Sequence, residues 1–187
     1  MDKREQILEA AANLIAEQGL QSSPVSQVAK QACCGAGTIY RYFETKESLI
    51  EELFVLMLQR LTIACLEGDE SSRTPEQRLR HIWANTYNYL HENERDCVLL
   101  DHLAACPSIS EEIRAEALEN IHSVLFALLD QGKADGIIKD LPNEVLATFA
   151  YGGLATIAKK RRIAPHMMGI QISNEMLTQL CWDAIRT

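Results

Sequence analysis

The sequence has little glycine and proline, and it has no long apolar run. Nine glycines and five prolines in 187 residues favour long helices over a turn-rich sheet protein. No stretch approaches the roughly 18 consecutive apolar residues of a transmembrane helix. The first six residues lead into an amphipathic pattern and not into the apolar core of a signal peptide. The sequence therefore predicts a helical, cytoplasmic protein with no membrane partner.

The usual signatures of metal sites and enzymes are also missing. The six cysteines form no CxxC pair and the histidines form no HxxxH pair, which are the spacings that preorganise zinc ligands. Neither a glycine-rich phosphate loop nor a nucleophile elbow is present. We therefore expect no enzyme activity, no catalytic residues, no cofactor and no metal.

A thiol sensor is an alternative role for four of the cysteines. Cys33 and Cys34 are adjacent, and adjacent cysteines form a disulfide with difficulty. Cys97 and Cys106 lie on or near one short predicted helix. Thiol reactivity requires a lowered pKa, which a sequence does not establish. We favour small filler residues at these positions and leave redox sensing open.

Basic residues are in the minority, and the net charge is −8. Residues 1–47 carry five basic and six acidic side chains, so most of the acidic excess lies in the rest of the chain. Total charge alone argues mildly against nucleic-acid binding, although an acidic remainder would weaken indiscriminate DNA binding. Whether the chain binds nucleic acid therefore depends on where its individual basic residues lie.

Apolar residues near the start of the chain recur at helical spacing. They predict a helix over residues 2–18 that Gly19 ends. Ser23 followed by Pro24 predicts the N-cap and first position of a second helix, which ends near Ala32. A third short helix covers about residues 36–42, and Thr45 can cap a long fourth one. Two short helices braced by a third are the layout of a helix-turn-helix unit.

The third helix has one apolar and one polar face. Ile39 and Phe43 lie four residues apart and form a core-facing pair. Small residues at its start allow the backbone to approach base edges, its hydroxyls can bond phosphates, and Arg41 can reach guanine or a phosphate. We predict that its outward face presents Ala36, Gly37, Thr38, Tyr40, Arg41 and Tyr42.

Residues 25–49, VSQVAKQACCGAGTIYRYFETKESL, resemble the signature of the TetR family of bacterial repressors. The similarity includes V-A-x-x-A in the second helix, G-T-I-Y-x-Y-F in the third, and T-K-E-x-L at the start of the fourth. It is specific over about residues 3–54. Further along the chain only helix number and lengths match. The resemblance implies a dimer formed by the last two helices, a ligand pocket in the C-terminal domain, and DNA release when the pocket is filled.

The resemblance also assigns roles to individual positions. Thr38, Tyr40 and Tyr42 would contact the phosphate backbone, and so would Lys46 with its ammonium and nearby helix N–H groups. Base edges would be faced by Ala36, Gly37 and Arg41, with Ser26 near the same groove. Two alternatives stay open: the tyrosines could be half-buried braces for the fourth helix, and Arg41 could be a solvated charge.

The chain departs from the family in the turn between the second and third helices. Cys33-Cys34 stands where relatives usually have Gly-Val. A positive φ at Cys33 would cost on the order of 1 kcal/mol. An alternative is that Gly35 takes over the flexible position.

Five further helices follow the polar stretch 67–75. We predict them over about residues 76–91, 96–105, 111–131, 142–162 and 173–185, with Ser110 capping the third of these. The basic run Lys159–Arg162 ends a helix, where cations offset the helix dipole. We favour that reading over a DNA site. The expected fold is all-α, with a helix-turn-helix DNA-binding domain over residues 1–45 and an effector-binding and dimerisation bundle over 46–187, about nine helices in total, as a dimer.

Aromatic residues of the C-terminal part are candidates for an effector pocket. A cavity lined by aromatics with a few polar groups suits a flat, apolar small molecule, although ordinary core packing is an equally good explanation. Acids near this region weakly suggest a cationic effector instead. The candidate lining residues are Trp83, Tyr87, His102, His122 and Phe126.

These observations favour one function over two others. The expected protein is a homodimeric, ligand-responsive repressor of a near-palindromic double-stranded operator, released by an apolar or aromatic small molecule. A helical enzyme lacks any motif that would position a reaction. A pure protein-interaction bundle would leave the exposed aromatic and basic third helix unexplained.

Overall fold

The computed structural model describes the backbone of residues 2–163 and 172–187, with the side chains of these residues except 160–163. Strands are absent from these ranges apart from one isolated bridge pair, Ile138 with Arg186. The prediction of an all-α fold is confirmed. The described ranges hold nine helices: α1 (Lys3–Gln18), α2 (Val25–Gln31), α3 (Ala36–Tyr42), α4 (Lys46–Leu66), α5 (Pro75–Glu92), α6 (Glu94–Ala104), α7 (Glu111–Ala134), α8 (Asn143–Ile163) and α9 (Asn174–Ile185).

Several helices begin at side-chain caps that satisfy their first backbone N–H groups. The Asp2 carboxylate accepts from the Glu5 amide at 2.8 Å, and Glu5 accepts from the Asp2 amide in return. Thr45 and Ser48 exchange the same pair of bonds at the start of α4. Such a cap contributes about 1 kcal/mol. The predicted cap at Thr45 is confirmed, as is the end of α1 at Gly19, whose φ is 79°.

The predicted cap at Ser23 is wrong. Pro24 itself occupies the N-cap position of α2, and no side chain caps that helix. The Ser23 hydroxyl is buried and donates to the Gly19 carbonyl at 2.7 Å, where it closes the turn after α1. The hydroxyl is used by the preceding helix because a serine can bond a carbonyl four residues back as readily as an amide ahead.

Helix α7 runs three residues beyond its predicted end, to Ala134. Gly132 had suggested a turn, but it lies inside the helix and is buried. A Cβ at this position would lie 2.4 Å from Ile138 Cδ1. The glycine therefore serves close packing in the last turn of α7. The chain leaves the helix after Ala134 through a turn in which Gly136 has a φ of 70°.

The chain divides into two compact units, and each unit consists of two separate stretches of chain. The boundary between Gln59 and Arg60 lies inside α4. Unit 1 contains the chain up to Gln59 together with Glu94–Ala117. In unit 1, α1 packs on both α2 and α6, and α2 packs on α3. Helix α1 is accordingly buried around most of its circumference, unlike a surface helix with one apolar stripe; its buried residues are Ile7, Leu8, Ala10, Ala11, Ala12, Leu14 and Ile15.

Unit 2 contains Arg60–Asn93 and Leu118–Thr187. Helices α5, α8 and α9 pack against one another in it. Helix α5 buries Trp83 and Tyr87, and α9 buries Trp182. Fully burying a large apolar side chain contributes about 1.5–3 kcal/mol. The end of the chain also packs within this unit, because the Lys139 amide donates to the Ile185 carbonyl at 2.9 Å.

Helices α8 and α9 leave apolar side chains uncovered. Phe149 on α8 is 73% exposed and Leu180 on α9 is 58% exposed. Val145 precedes Phe149 by one turn, and Met176 precedes Leu180 by one turn, and both are exposed. The two helices therefore present adjacent large apolar side chains on their outer surfaces. Among the described residues, no helix combines the length and apolarity needed to cross a membrane.

Candidate nucleic-acid interface

Helix α3 is anchored by one face and free on the other. Ile39 and Phe43 are 1% exposed, which confirms them as the core-facing pair. Val28 and Ala29 of α2 are buried as well. Helix α2 packs on α3, so the first four helices place α3 at the surface of unit 1 with its outer face uncovered.

The turn between α2 and α3 is closed by a Schellman motif. The Cys34 amide donates to the Ala29 carbonyl at 2.9 Å, and the Cys33 amide donates to the Lys30 carbonyl at 3.2 Å. This motif requires a left-handed residue. Cys33 supplies it with a φ of 50°. The alternative that Gly35 takes this position is wrong, because Gly35 is extended at φ −79° and is the N-cap of α3.

The outer face of α3 is as exposed as predicted, with one exception. Tyr40 is 53% exposed and Tyr42 is 37% exposed, so both rings reach the surface. Ala36, Gly37 and Arg41 are exposed. Thr38 is half-buried. The face therefore combines a small-residue start with hydroxyls and a cation further along the helix.

Arg41 lies over its neighbour on the surface. Its guanidinium carbon is 5.2 Å from the centre of the Tyr42 ring, and Nη2 donates to the Tyr42 hydroxyl at 3.4 Å. A cation–π contact at an exposed site is worth about 0.5–1 kcal/mol. That is weak enough for Arg41 to leave the ring when a stronger acceptor, such as a phosphate or a guanine edge, is offered.

Lys46 and Ser26 flank α3 on its two neighbouring helices. Lys46 is the first residue of α4, as predicted, and is half-buried. Its ammonium donates to the Leu20 carbonyl at 3.2 Å, which leaves further N–H donors on the same nitrogen. Ser26 is exposed on α2. Lys30, in the last turn of α2, is an exposed cation that the motif did not single out.

Two residues that position α3 could not be found from the sequence. The Arg4 guanidinium lies 5.6 Å from the centre of the Phe43 ring and also pairs with Glu52 on α4. Lys3 donates to the carbonyl of Ala32, at the end of α2, at 3.5 Å. No local pattern links positions 3 and 4 to 32, 43 and 52, so only the folded chain shows that α1 holds both helices.

The candidate effector residues are divided between the two units. Trp83 and Tyr87 are buried on α5, and His122 and Phe126 are half-buried on α7, all in unit 2. The rings of His122 and Phe126 are stacked with their centres 5.0 Å apart. His102 belongs to α6 in unit 1, where a Cβ on Gly19 would lie 3.8 Å from its ring.

One open groove lies between α1 and α6 within unit 1. It has a volume of about 490 Å³ and none of the effector candidates lines it. Four of its six lining residues carry polar or charged groups, and none is aromatic, in contrast to the largely hydrophobic and aromatic lining of most small-molecule sites. The lining residues are Asn13, Ala16, Glu17, Glu94, Arg95 and Val98.

The cysteines differ in exposure. Cys33 is exposed and Cys34 is half-buried, whereas Cys97 and Cys106 are buried. Burial raises the pKa of the Cys181 thiol to about 11, which makes it a poor nucleophile. Among the described residues, no group of three or more metal-ligating side chains comes together. The side chains of the basic run beyond Lys159 lie outside the described residues.

An exposed short helix with small, hydroxyl and basic residues, braced by two others, defines a helix-turn-helix DNA-binding protein. Comparison with known proteins identifies the family. Residues 7–53 match the family of bacterial regulatory proteins named after TetR, and residues 75–186 match a tetracycline-repressor-like C-terminal domain. The chain belongs to the TetR family, and the predicted DNA-binding transcriptional regulator is confirmed.

Similar proteins include regulators with known structures. A TetR family protein from Vibrio parahaemolyticus is 30% identical, with a TM-score of 0.83 over 100% of this chain and 99% of the other. The fatty acid metabolism regulator protein of Bacillus subtilis is 30% identical over 138 residues, 72% of this chain and 70% of its own length. FadR from Bacillus subtilis, in complex with stearoyl-CoA, shares the fold at 22% identity, with a TM-score of 0.76 over 96% of this chain and 95% of the other.

Proposed function

We propose that this regulator is a homodimeric repressor that binds a near-palindromic operator and releases it when a small molecule binds. The observation that carries the proposal is the outer face of α3, which is exposed while Ile39 and Phe43 anchor its other face. Two such helices would enter successive major grooves with centres about 34–36 Å apart. The protein would act in the cytoplasm, where bacterial operator DNA lies.

Within this proposal, backbone and base contacts fall to different residues. Thr38, Tyr40 and Tyr42 bond phosphates through their hydroxyls. Lys46 and the N-terminus of α4 add a charged phosphate contact. Arg41 reads a base edge in the major groove. The small residues Ala36 and Gly37 at the start of α3 allow the helix to approach the bases closely. Ser26 contacts the same groove from α2. We keep residues 1–45 as the proposed DNA-binding domain and 46–187 as the proposed effector-binding and dimerisation domain, although compact unit 1 also includes part of α4 and residues 94–117.

The proposed dimer forms through α8 and α9. Phe149 and Leu180 are exposed large apolar side chains on adjacent helices, and large exposed apolar patches mark interaction sites. A two-fold contact places the same patch on both protomers, so the patch must be complementary to itself. Apolar side chains at its centre satisfy that condition without pairing like charges.

The proposed effector is a fatty acyl-CoA or a similar apolar carboxylic acid derivative. Two relatives support this class: one is named a fatty acid metabolism regulator, and one structure of the same fold holds stearoyl-CoA. Trp83, Tyr87, His122 and Phe126 in unit 2 are the candidate contacts. Reversing operator occupancy from 99:1 to 1:99 requires about a 10⁴-fold preference of the effector for the released state.

The test begins with selection of duplex DNA by the purified protein and sequencing of the bound fragments. A single enriched near-palindrome is the expected result, and no enrichment with folded, refolded protein would refute repressor-type binding. The selected operator is then titrated with stearoyl-CoA, with free coenzyme A and stearate as matched controls. Release by the thioester alone supports the acyl-CoA class, and release by neither thioester nor stearate removes it.

A further inference from the structure

We propose that Cys33 and Cys34 together form a two-sulfur binding site for a soft metal or metalloid ion, with trivalent arsenic as the best fit, and that occupation of this site releases operator DNA. The release of DNA rests on the proposed DNA binding by α3, whereas the binding of the ion does not. Both thiols are free, and they lie in the turn between α2 and α3.

Neither packing nor backbone conformation explains a cysteine at position 33. The four cysteines outside this turn are buried, and a thiol in a core acts as a small hydrophobic group. Cys33 is exposed, so it fills no space in the core. Its φ of 50° costs a residue with a Cβ on the order of 1 kcal/mol, and glycine avoids that cost. The reactivity of the thiol is what distinguishes cysteine from the residues that would suit this position better.

Cys34 supplies a second sulfur next to the first. Its side chain is half-buried, and its amide donates to the Ala29 carbonyl at 2.9 Å. The Cys33 amide donates to the Lys30 carbonyl at 3.2 Å, so the backbone of both residues is fixed in the turn. Consecutive Cα atoms lie about 3.8 Å apart across a trans peptide. An ion that bonds one sulfur therefore has the second within reach of a side-chain rotation.

The geometry of adjacent residues favours a bridging ion over a disulfide. A disulfide places its sulfurs about 2.05 Å apart and its Cα atoms usually about 4.4–6.8 Å apart, and adjacent Cα atoms are closer than this range. An ion between the sulfurs adds two bonds of about 2.3 Å each, taking the length of a zinc–thiolate bond. The sulfurs then stay further apart than in a disulfide, so the pair suits chelation better than oxidation.

The number of ligands indicates the class of ion. Thiolates select soft ions. No third histidine, cysteine or carboxylate joins the pair among the described residues, whereas a structural zinc ion takes four protein ligands. An ion that two sulfurs satisfy is therefore expected. Trivalent arsenic is pyramidal, with bonds at roughly right angles, and thus fits two neighbouring sulfurs. Cu⁺, which prefers two sulfurs opposite each other, is the second candidate.

The reaction with trivalent arsenic needs no other reagent. In arsenous acid each thiol replaces one hydroxyl group: an As–S bond forms, an As–O bond breaks, and the thiol proton leaves with the hydroxyl as water. Two replacements release two waters and leave one hydroxyl on arsenic, which stays trivalent. The second replacement is intramolecular, and the effective concentration of the second thiol is at least millimolar. The chelate should therefore outlast an adduct with one sulfur.

The position of the site connects its occupation to the proposed reading of DNA. Gly35, the next residue, is the N-cap of α3. Ala36 and Gly37 follow, and we propose that they approach the bases. A ring that joins the side chains of Cys33 and Cys34 constrains the turn and adds bulk at its exposed residue. We expect operator affinity to fall by about tenfold, which is within the range for one mismatched base pair.

The first measurement uses the reduced, full-length protein without DNA. Phenylarsine oxide should add once per chain with loss of one water, and peptide mass spectrometry should locate the adduct at Cys33 and Cys34. Excess glutathione, a monothiol, should leave the adduct in place, and dithiothreitol, a dithiol, should remove it. Parallel titrations with arsenite and Cu⁺ show which ion the pair prefers.

Three variants separate the pair from the other thiols. Cys33→Ser and Cys34→Ser should each lower the affinity for phenylarsine oxide by at least about 100-fold, because each leaves one sulfur without its chelating neighbour. Cys106→Ser is the matched control. It removes a buried thiol, and the serine hydroxyl can keep the contact that the Cys106 sulfur makes with the Ser108 hydroxyl at 3.1 Å. Its adduct should equal that of the wild type.

The second measurement is operator affinity with and without the adduct. The double variant Cys33→Gly, Cys34→Val has no thiol in the turn and places glycine at the left-handed position. It should bind the selected operator like the wild type and be insensitive to phenylarsine oxide. An adduct that leaves wild-type operator affinity unchanged would overturn the regulatory role.

The binding site itself would be overturned by two results: no two-sulfur adduct with any of the three reagents, or an adduct that persists in glutathione after Cys33→Ser. Failure of the proposed function is visible separately, because the DNA selection would then enrich no operator. The adduct measurements still decide the binding site in that case, since they use the protein without DNA.

Discussion

Two glycines inside helices differ in what a side chain would meet. At Gly132 a Cβ would come within 2.4 Å of Ile138, so the fold itself demands glycine. Around Gly37 in α3 a Cβ would meet nothing within 4 Å, and its φ is not in the left-handed range. The protein's own packing thus gives no reason for Gly37, whereas the close approach of DNA that we propose would supply one.

Gly37→Ala should therefore have opposite effects on stability and on binding. Alanine at a compatible helix position stabilises the fold by about 0.4–1 kcal/mol, because the unfolded chain loses entropy. Operator affinity should fall by about 1–3 kcal/mol, comparable to one mismatched base pair. Chemical denaturation and fluorescence anisotropy on the selected operator measure the two. Unchanged affinity would show that the bases do not approach this position.

Tyr40→Ala and Arg41→Ala should separate phosphate contact from base reading. Loss of the Tyr40 hydroxyl should weaken binding to operator and random DNA by the same factor, because phosphates carry no sequence information. Loss of Arg41 should weaken operator binding by about 1–3 kcal/mol and random DNA much less. Competition titrations with both duplexes measure the ratio. Equal losses for Arg41→Ala would remove it from the base-reading residues.

Local chemistry predicted most helix boundaries to within one to three residues. Thr45, Ser110 and Gly19 all cap or end the helices that they were expected to cap or end, because each bond depends only on residues three or four positions away. The prediction for Ser23 was wrong because its hydroxyl can bond either the first amides of α2 or the Gly19 carbonyl, and it bonds the carbonyl. The turn predicted at Gly132 was wrong because the glycine is required by its contact with Ile138, which follows the turn at the end of α7.

The candidate site was predictable only in part. Helical periodicity and the family resemblance predicted which residues form the outer face of α3. All of these residues are exposed except Thr38, which is half-buried. The supports for that face do not follow, since the contacts of Arg4 with Phe43 and of Lys46 with Leu20 join distant parts of the chain. The roles of the five effector candidates stay predictions.

The loop between α4 and α5 contains a pH-sensitive element. Arg78 donates to both carboxylate oxygens of Asp69, and these hydrogen bonds hold the pKa of Asp69 below its usual value. A carboxyl with a lowered pKa in the fold contributes stability above its unfolded pKa, and this contribution is lost as pH falls through the folded value. The acid limb of the stability curve, below about pH 4, should therefore include Asp69.

Asp69→Asn should lower the free energy of unfolding at pH 7 by about 1 kcal/mol and flatten its decline below pH 4. Denaturant unfolding at a series of pH values measures both effects. Glu70→Gln is the control from the same loop, because its pair with Arg73 is largely exposed and should contribute little. Parallel pH curves for wild type and Asp69→Asn would contradict the assignment.

At the scale of the whole molecule, the acidic excess and the apolar patch have to be explained together. A net charge of −8 opposes non-specific DNA binding and favours dispersal in solution. Helices α8 and α9 nevertheless expose Phe149 and Leu180. A protein that avoids general association but keeps large apolar side chains exposed is suited to one specific partner, which we propose is a second copy of itself.

Phe149→Glu should convert the dimer to a monomer, because two buried carboxylates would face each other across the two-fold axis without a cation. Sedimentation velocity at micromolar concentration measures the change, and operator affinity should fall with it. Ile63→Glu is the matched control, since Ile63 is 72% exposed on α4 and lies outside the proposed interface. A Phe149→Glu protein that sediments like the wild type would refute this interface.

The discontinuity of unit 1 also has a consequence for synthesis on the ribosome. Helices α1 to α3 emerge first, but the partner of α1 on its other side, α6, is translated only after residues 60–93. Until residues 94–104 have emerged, the face of α1 that packs on α6 has nothing to cover it. Unit 1 therefore cannot finish folding as the N-terminal domain of a nascent chain usually does. A ribosome that pauses between residues 60 and 93 would expose a regulator whose α3 is already made while α1 still lacks its contact with α6.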